Sequence, residues 1–527
     1  MIRRITARLL SVLALLAALA GISLPAHADP ADIDAAARGV VRVVVAARDG
    51  GELYAVSHGS GFAVTAETIV TNAHVVGEAM GDPRLVIGIV PSEGGEAVYG
   101  RVIAMSPRND LALLRTTSPL RLAPLTLSGL TPQGAGAVTA IGYPMNVDQA
   151  QGLEMADIFR AQPPVTSQGF LSGRRPSREF DTLLHTAPIA RGNSGGPLVD
   201  QCGRVIGVNS FGTESAGTEA EFFFAVSIRE LLPFLRANSV TPTVNSLPCR
   251  SLAELEESER TLEQNRQAEA QRRAQAEEAA LAQRRTEMRR DIEYGVIDER
   301  ANGLALALVL LMVGFAGAGF AYDAHRRGVM QHRRIGGAVA LGAVVLAVVA
   351  WAMRPSFAEI EERLEEQLRA QMDAERANGD TGVIAAAASG ELTCVLDVAR
   401  SRVVGEPLES LPLQWRSDGC VNGRTQYGLA SGEWTRIFVP EEDQSVSINR
   451  FDPATGEYVV DRFLLDRDAM IAAREARAQF QAPACGAGLE AAGAFGAQQA
   501  RIAASLPASP NERLVYQCAS GRVAAEE

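Results

Sequence analysis

Gly192-Asn193-Ser194-Gly195-Gly196-Pro197 is the segment of this sequence best suited to chemistry. Glycines on both sides of Ser194 let the backbone turn tightly and leave the hydroxyl exposed. The same turn would aim the Gly192 and Ser194 amides, with Asn193 between them, at one point where an oxyanion could form. A serine hydroxyl needs a base, and the chain has six histidines. His27 falls in a leader-like segment, while His325 and His332 lie between two apolar stretches, which leaves His58, His74 and His185. All three precede Ser194, which excludes the serine, acid, histidine order of the nucleophile-elbow hydrolases even though Gly192-x-Ser194-x-Gly196 fits their short pattern.

His74 sits in Thr71-Asn72-Ala73-His74-Val75-Val76 after a short strand-like run, and Asp110 stands at the head of the apolar run 111–114. The order His74, Asp110, Ser194 is that of base, acid and nucleophile in a trypsin-like double barrel. In such a site His74 takes the serine proton and returns it to the leaving amine, and Asp110 holds the ring tautomer.

The surrounding motifs resemble the HtrA/DegP-type branch of trypsin-like serine proteases. Gly59-Ser60-Gly61-Phe62, then residues 138–144 (VTAIGYP), 167–173 (SQGFLSG), 190–197 (ARGNSGGP), 204–209 (RVIGVN) and Phe224-Ala225-Val226 follow in family order over residues 39–237. The resemblance implies a chymotrypsin-type fold, endoproteolysis of exported or unfolded polypeptides, no cofactor and no metal. It places Pro188 at the base of the specificity pocket, with Asn209 beside it, and an uncharged base predicts cleavage after small or medium apolar residues. Two departures stand out: His185-Thr186-Ala187 replaces the family's Thr-Asp-Ala stretch, and no PDZ-like segment follows residue 240. Residues 145–166 read as a long loop near the site.

The elements that must position these groups are short apolar runs separated by Gly, Pro, Asn and Asp, which predict an all-β double barrel over residues 29–245 closed by a helix at 228–238. The chain has 527 residues, so further units are expected. Residues 1–28 carry Arg3, Arg4 and Arg8, an apolar run at 9–21 and Ala26-His27-Ala28, the pattern of a cleaved secretory signal peptide. A capping box at Ser251-Leu252-Ala253-Glu254 opens a charged helical segment, 251–300, whose sparse leucines leave a coiled-coil contact with a second copy open. Residues 303–322 and 335–353 are long and apolar enough to span a bilayer as a hairpin, with an arginine-rich loop at 323–334 expected on the cytoplasmic side. An amphipathic helix follows at 356–378 and a small β-rich domain at 391–527. Both exported segments would then face the periplasmic side.

Composition narrows the partners. A net charge of −12 gives no general field for nucleic acid. Lysine is absent, which removes serine–lysine dyads and Schiff-base chemistry. Cys202 and Cys249 precede the hairpin, and Cys394, Cys420, Cys485 and Cys518 follow it, an even number on each side that suggests disulfides and gives no zinc spacing. Cys202–Cys249 is the expected first pair; the last four allow three connectivities, with Cys394–Cys420 and Cys485–Cys518 favoured by proximity. The expected function is a membrane-tethered serine endopeptidase. The alternative is a non-catalytic, membrane-anchored sensor or binding protein that uses the protease fold as a scaffold.

Overall fold

Residues 30–49, 52–120, 122–132, 136–154, 156–176, 180–212, 221–379, 389–430 and 432–520 are described by a computed structural model. The signal-peptide segment lies outside them. After helix α1 (Pro30–Arg38), six strands, β1 (Val40–Asp49), β2 (Glu52–Ala63), β3 (Thr68–Thr71), β4 (Leu85–Pro91), β5 (Val98–Ser106) and β6 (Leu111–Thr116), close a barrel in the order β1-β2-β3-β6-β5-β4. Helix α2 (Ala73–Gly81) follows β3. The run of apolar residues in β6 reflects burial on both faces. Ala112 and Leu114 pack with Val41, Val43, Ile69, Ile87 and Ile89 of the same barrel, whereas Leu111 and Leu113 pack with Ile141, Val208 and Val226 of the next.

The second barrel comprises β8 (Ala137–Gly142), β9 (Val165–Pro176), β10 (Asp181–His185), β11 (Pro197–Val199), β12 (Val205–Gly212) and β13 (Phe223–Ser227), with the short β7 (Leu127–Ser128) and β14 (Val244–Asn245) continuing from β12. Pairing of β11 with both β8 and β12 closes the ring. Helix α3 (Met145–Ala150) lies in the loop between β8 and β9, and α4 (Ile228–Ala237), capped by Ser227, seals the barrel with Ile228, Leu231 and Leu235. His185 of β10 is fully buried, with the Phe223 ring 6.0 Å away. Burial, partly opposed by the Ala187 backbone, pushes its pKa down to about 4.

Residues 389–520 fold as a nine-stranded antiparallel sheet, in which Gly390–Leu396 lies beside the last strand, Glu512–Ser520, with Cys394 directly opposite Cys518. Two helices, Arg467–Ala478 and Leu489–Ala503, add Met470, Ala473 and Ile502 to a core on Ile437, Val446 and Phe463. The disulfides are Cys202–Cys249, Cys394–Cys518 and Cys420–Cys485. The Cys394–Cys420 and Cys485–Cys518 pairing favoured by proximity is therefore wrong. Pairing of the domain's first strand with its last brings together cysteines 124 residues apart.

The barrels and this sheet form one compact unit, interrupted in sequence by residues 260–384. Their seam carries buried polar pairs. Asp32 of α1 is buried against the Arg402 guanidinium and accepts from Asn511 Nδ2 at 3.0 Å, while Asn245 Nδ2 donates to Val403 O at 2.7 Å and Arg38 Nη2 to Leu464 O at 2.8 Å.

The intervening unit is helical. The capping box forms as expected, with Ser251 N donating to Glu254 Oε2 at 2.9 Å and Glu254 N to Ser251 Oγ at 3.2 Å. The charged segment and the first apolar stretch, expected as separate elements, are one 75-residue helix, α5 (Leu252–Arg326). The turn to α6 (Met330–Ala352) is correspondingly short. Apolar side chains of both stretches are exposed, Phe315 to 78% and Leu341 to 69%, so these are not core helices. Small residues bring them close: a Cβ on Gly336 would lie 2.9 Å from that of Ala321. The amphipathic stripe finds its partner when α7 (Glu359–Gly379) folds back on α5, setting Ile360, Leu364 and Leu368 against Met288, Ile292 and Val296, with Arg363 Nη2 3.3 Å from Glu299 Oε2.

Removing the carboxylate with Asp32→Ala strands a buried guanidinium, so denaturant unfolding of the full chain should show a loss of about 3–5 kcal/mol, partly recovered by adding Arg402→Met. His185 gives a pH signature. Its folded pKa lies below the unfolded value of about 6.5, so the unfolded chain binds the extra proton first. Stability is full above about pH 6.5 and falls by roughly 3 kcal/mol as pH drops to about 4. His185→Phe should flatten that dependence in unfolding titrations, whatever it does to stability at neutral pH.

Candidate active site

The side-by-side pairing of β3 and β6 decides where the first two groups meet. Thr71 pairs with Ala112, so the end of β3 and the start of β6 are neighbours, and His74 in the first turn of α2 stands beside Asp110. His74 Nδ1 lies 2.9 Å from Asp110 Oδ2 and 3.0 Å from Oδ1, and the His74 amide, one of the free N–H groups of a helix start, donates to Oδ1 at 3.1 Å. Asp110 takes a left-handed backbone, φ 52°, a conformation aspartate tolerates better than most residues, and Asn72 Nδ2 holds its carbonyl at 2.8 Å. Burial would raise the Asp110 pKa. The hydrogen bonds and charge of His74, with the Ser210 hydroxyl, outweigh it and hold the carboxyl below its ordinary range. A carboxylate on Nδ1 fixes the proton there and leaves Nε2 as the acceptor on a half-exposed ring.

The turn bearing Ser194 lies in the loop that joins β10 to β11. Gly195 N donates to Asn209 O and Asn209 N to Gly196 O, each at 2.8 Å, which pins the turn to β12. From the first barrel, Ser60 N donates to Ser194 O at 2.8 Å and Ser60 Oγ to Gly192 O at 2.7 Å. Gly192 has φ +100°, and a Cβ there would come within 2.2 Å of Tyr143 O, so only glycine fits. With its carbonyl held inward, the Gly192 amide and that of Ser194 donate to no acceptor among the described residues. Two such amides can together receive an oxyanion. The partly exposed Ser194 hydroxyl donates to Ser210 O at 2.8 Å rather than to His74.

Three expectations need revision. The Asn193 amide donates to Ala190 O at 3.0 Å and closes the turn, so it is not a third oxyanion donor. Asn209 is fully buried with Nδ2 on Pro197 O at 2.9 Å and braces the turn from behind instead of lining a pocket. His185 lies inside the second barrel and His58 beneath the turn, which leaves His74 as the histidine on Asp110. Pro188 is exposed on the loop after β10. Sequence reasoning missed Ser210, whose Oγ donates to Asp110 Oδ2 at 2.6 Å and whose carbonyl holds Ser194, and it missed the double role of Ser60. Ser210 follows directly on the 204–209 strand motif, and that adjacency is the signal that could have found it.

Residues 59–208 match the family model described as Trypsin-like peptidase domain. The chain is 37% identical over 183 residues to serine protease HTRA2, mitochondrial, of Bos taurus, covering 34% of this chain and 36% of that protein. It is 30% identical over 165 residues to the magnetosome formation protease MamE of Magnetospirillum gryphiswaldense, covering 30% and 19%. A third relative, the probable periplasmic serine endoprotease DegP-like of Brucella suis, is 30% identical over 174 residues, covering 32% and 31%. The chain thus spans at most 36% of the length of these relatives. Over residues 59–208 the double barrel is similar to trypsin-like peptidase domains, and its relatives include proteases of the HtrA and DegP kind.

Proposed function

We propose that this chain is a membrane-tethered serine endopeptidase that hydrolyses exported or unfolded polypeptides through an acyl-enzyme. The observation that carries the reading is that Ser210 links the two halves of the site, its hydroxyl on the Asp110 carboxylate that holds His74 and its carbonyl on the Ser194 hydroxyl, whose turn also carries two unengaged amides. Rotation of the Ser194 hydroxyl from Ser210 O toward His74 Nε2 starts the reaction. His74 accepts the proton as Ser194 Oγ bonds to the substrate carbonyl, Asp110 stabilises the imidazolium, and the Gly192 and Ser194 amides receive the oxyanion. Collapse expels the amine, which takes the proton from His74, and a water repeats the sequence to free the acid.

Two helices that expose their apolar side chains over membrane-spanning lengths support the tether. A two-span hairpin returns the chain to the side it left, so the barrels and the C-terminal sheet share a compartment, and the leader pattern at residues 1–28 makes that compartment extracytoplasmic. The scaffold reading has one observation on its side, the Ser194 hydroxyl bound to Ser210 O.

Turnover of an unfolded polypeptide such as reduced casein by detergent-purified protein separates the two. Ser194→Ala and His74→Ala should each lower kcat/KM on the order of 10⁴–10⁶-fold. Turnover unchanged in both variants would overturn the protease reading.

A further inference from the structure

Beneath the Ser194 turn lies a buried polar cluster that the reaction above does not use. His58 of β2 reaches Tyr143 O at 3.2 Å and Asp148 Oδ2 at 3.3 Å through the same atom, Nε2. Asp148 of α3 accepts from Arg42 Nη2 at 2.9 Å, and the Arg42 guanidinium, inside β1 and 1% exposed, sits 4.6 Å above the Tyr143 ring and also reaches Ile158 O and Gln162 Oε1, each at 3.3 Å. We propose that His58, held by Asp148 and Arg42, is a positioning residue that keeps the Gly192 amide aimed at the oxyanion. The inference rests on the protease reading and adds to it the device that orients one of the two amides.

The argument is one of competing acceptors. Tyr143 O is the hydrogen-bond partner of His58 Nε2 and the Asp148 carboxylate lies beside that nitrogen without a hydrogen bond, so Nε2 carries the hydrogen. Burial and the Arg42 charge, opposed by Asp148 and the Tyr143 carbonyl, lower the His58 pKa, so the ring is neutral at neutral pH. Tyr143 O is the atom against which Gly192 packs most closely, and a Cβ on Gly192 would also lie 3.1 Å from His58 Nε2. While His58 donates to it, this carbonyl has its partner. Without His58 it becomes a buried acceptor in need of a donor, which is costly, and the unengaged donors around it are the amide of Gly192, the residue packed against it, and the buried Arg42 Nε. Glycine's freedom at φ +100° lets the peptide turn toward that carbonyl and away from the substrate. Met145 N donates to Arg191 O at 2.7 Å, the other end of the same planar peptide, so the strap that carries Asp148 opposes that turn and shares with His58 the work of holding the Gly192 amide.

The groups facing His58 are Arg42 on β1, Asp148 on α3 and Tyr143 at the end of β8, and the variants address the ring and its anchor separately. His58→Ala should lower kcat for a peptide ester or amide roughly 10–100-fold with KM nearly unchanged, less than the 10²–10³ typical of deleting an oxyanion donor outright. Affinity for a peptide aldehyde, which needs the oxyanion amides, should fall in step with kcat. His58→Gln, whose Nε2 donor can reach Tyr143 O, should recover most of both, and Asp148→Asn, which keeps the shape and removes the charge, should show a smaller loss of the same kind. An equal fall in kcat and aldehyde affinity with rescue by glutamine supports the inference. Unchanged kcat in a folded His58→Ala, or a loss confined to KM, overturns it while leaving the protease reading intact. If His58→Ala does not fold, Asp148→Asn and His58→Gln decide: wild-type kcat in the first, or a glutamine variant that folds yet lacks aldehyde binding, overturns it. A wild-type protein with no turnover overturns both.

Discussion

Ser60 is the interaction on which the site depends. Its amide donates to Ser194 O, its hydroxyl Oγ donates to Gly192 O and accepts from Tyr143 N at 2.9 Å, and its carbonyl accepts from Thr71 Oγ1 at 2.7 Å. One small residue of the first barrel therefore joins the strand that leads to His74, the end of β8 and the turn that bears the serine. A larger side chain would not fit: the residue is fully buried, and the Gly142, Gly195 and Gly196 backbones all lie against it. The β2–β3–β6 pairing does the equivalent work for His74 and Asp110. Reactive groups distant in sequence meet because closed barrels leave the strand ends little freedom to drift.

How much of this was legible in the sequence follows from how local each signal is. Gly192 and Gly195 announce a turn with positive φ, and the apolar runs of β1, β4, β6, β8 and β12 announce strands, since these depend on neighbours only a few residues away. The His74 and Asp110 positions were readable from their places after β3 and before β6. The roles of Ser60, Asn209 and Ser210 were not, because each is defined by a hydrogen bond to a residue 12 or more positions away. Asn193 looked like a donor and is a turn closer, a difference that only the position of Ala190 O reveals. The cysteine connectivity failed for a related reason. Sequence distance is a poor guide when the first and last strands of a sheet are adjacent.

The C-terminal sheet and the barrels share a buried seam although residues 260–384 separate them in sequence. A charge such as Asp32 is tolerated there because Arg402 and Asn511 satisfy it, and leaving either side unpaired would cost more than the pair contributes. Such a seam selects one partner geometry. The helical unit follows a different rule: small residues let two apolar helices approach, larger ones face outward, and the charged stretches of α5 and α7 join through aliphatic contacts and the Arg363–Glu299 pair.

The most direct test of the central claim, that Ser194 is an activated nucleophile, is labelling of the full-length protein in membranes with a fluorophosphonate probe, followed by mass spectrometry of the modified peptide. The account predicts a single phosphonylated site at Ser194, absent from Ser194→Ala and strongly slowed in His74→Ala. Wild-type protein that stays unlabelled in membranes and in detergent, or that is labelled on a different serine, would contradict it.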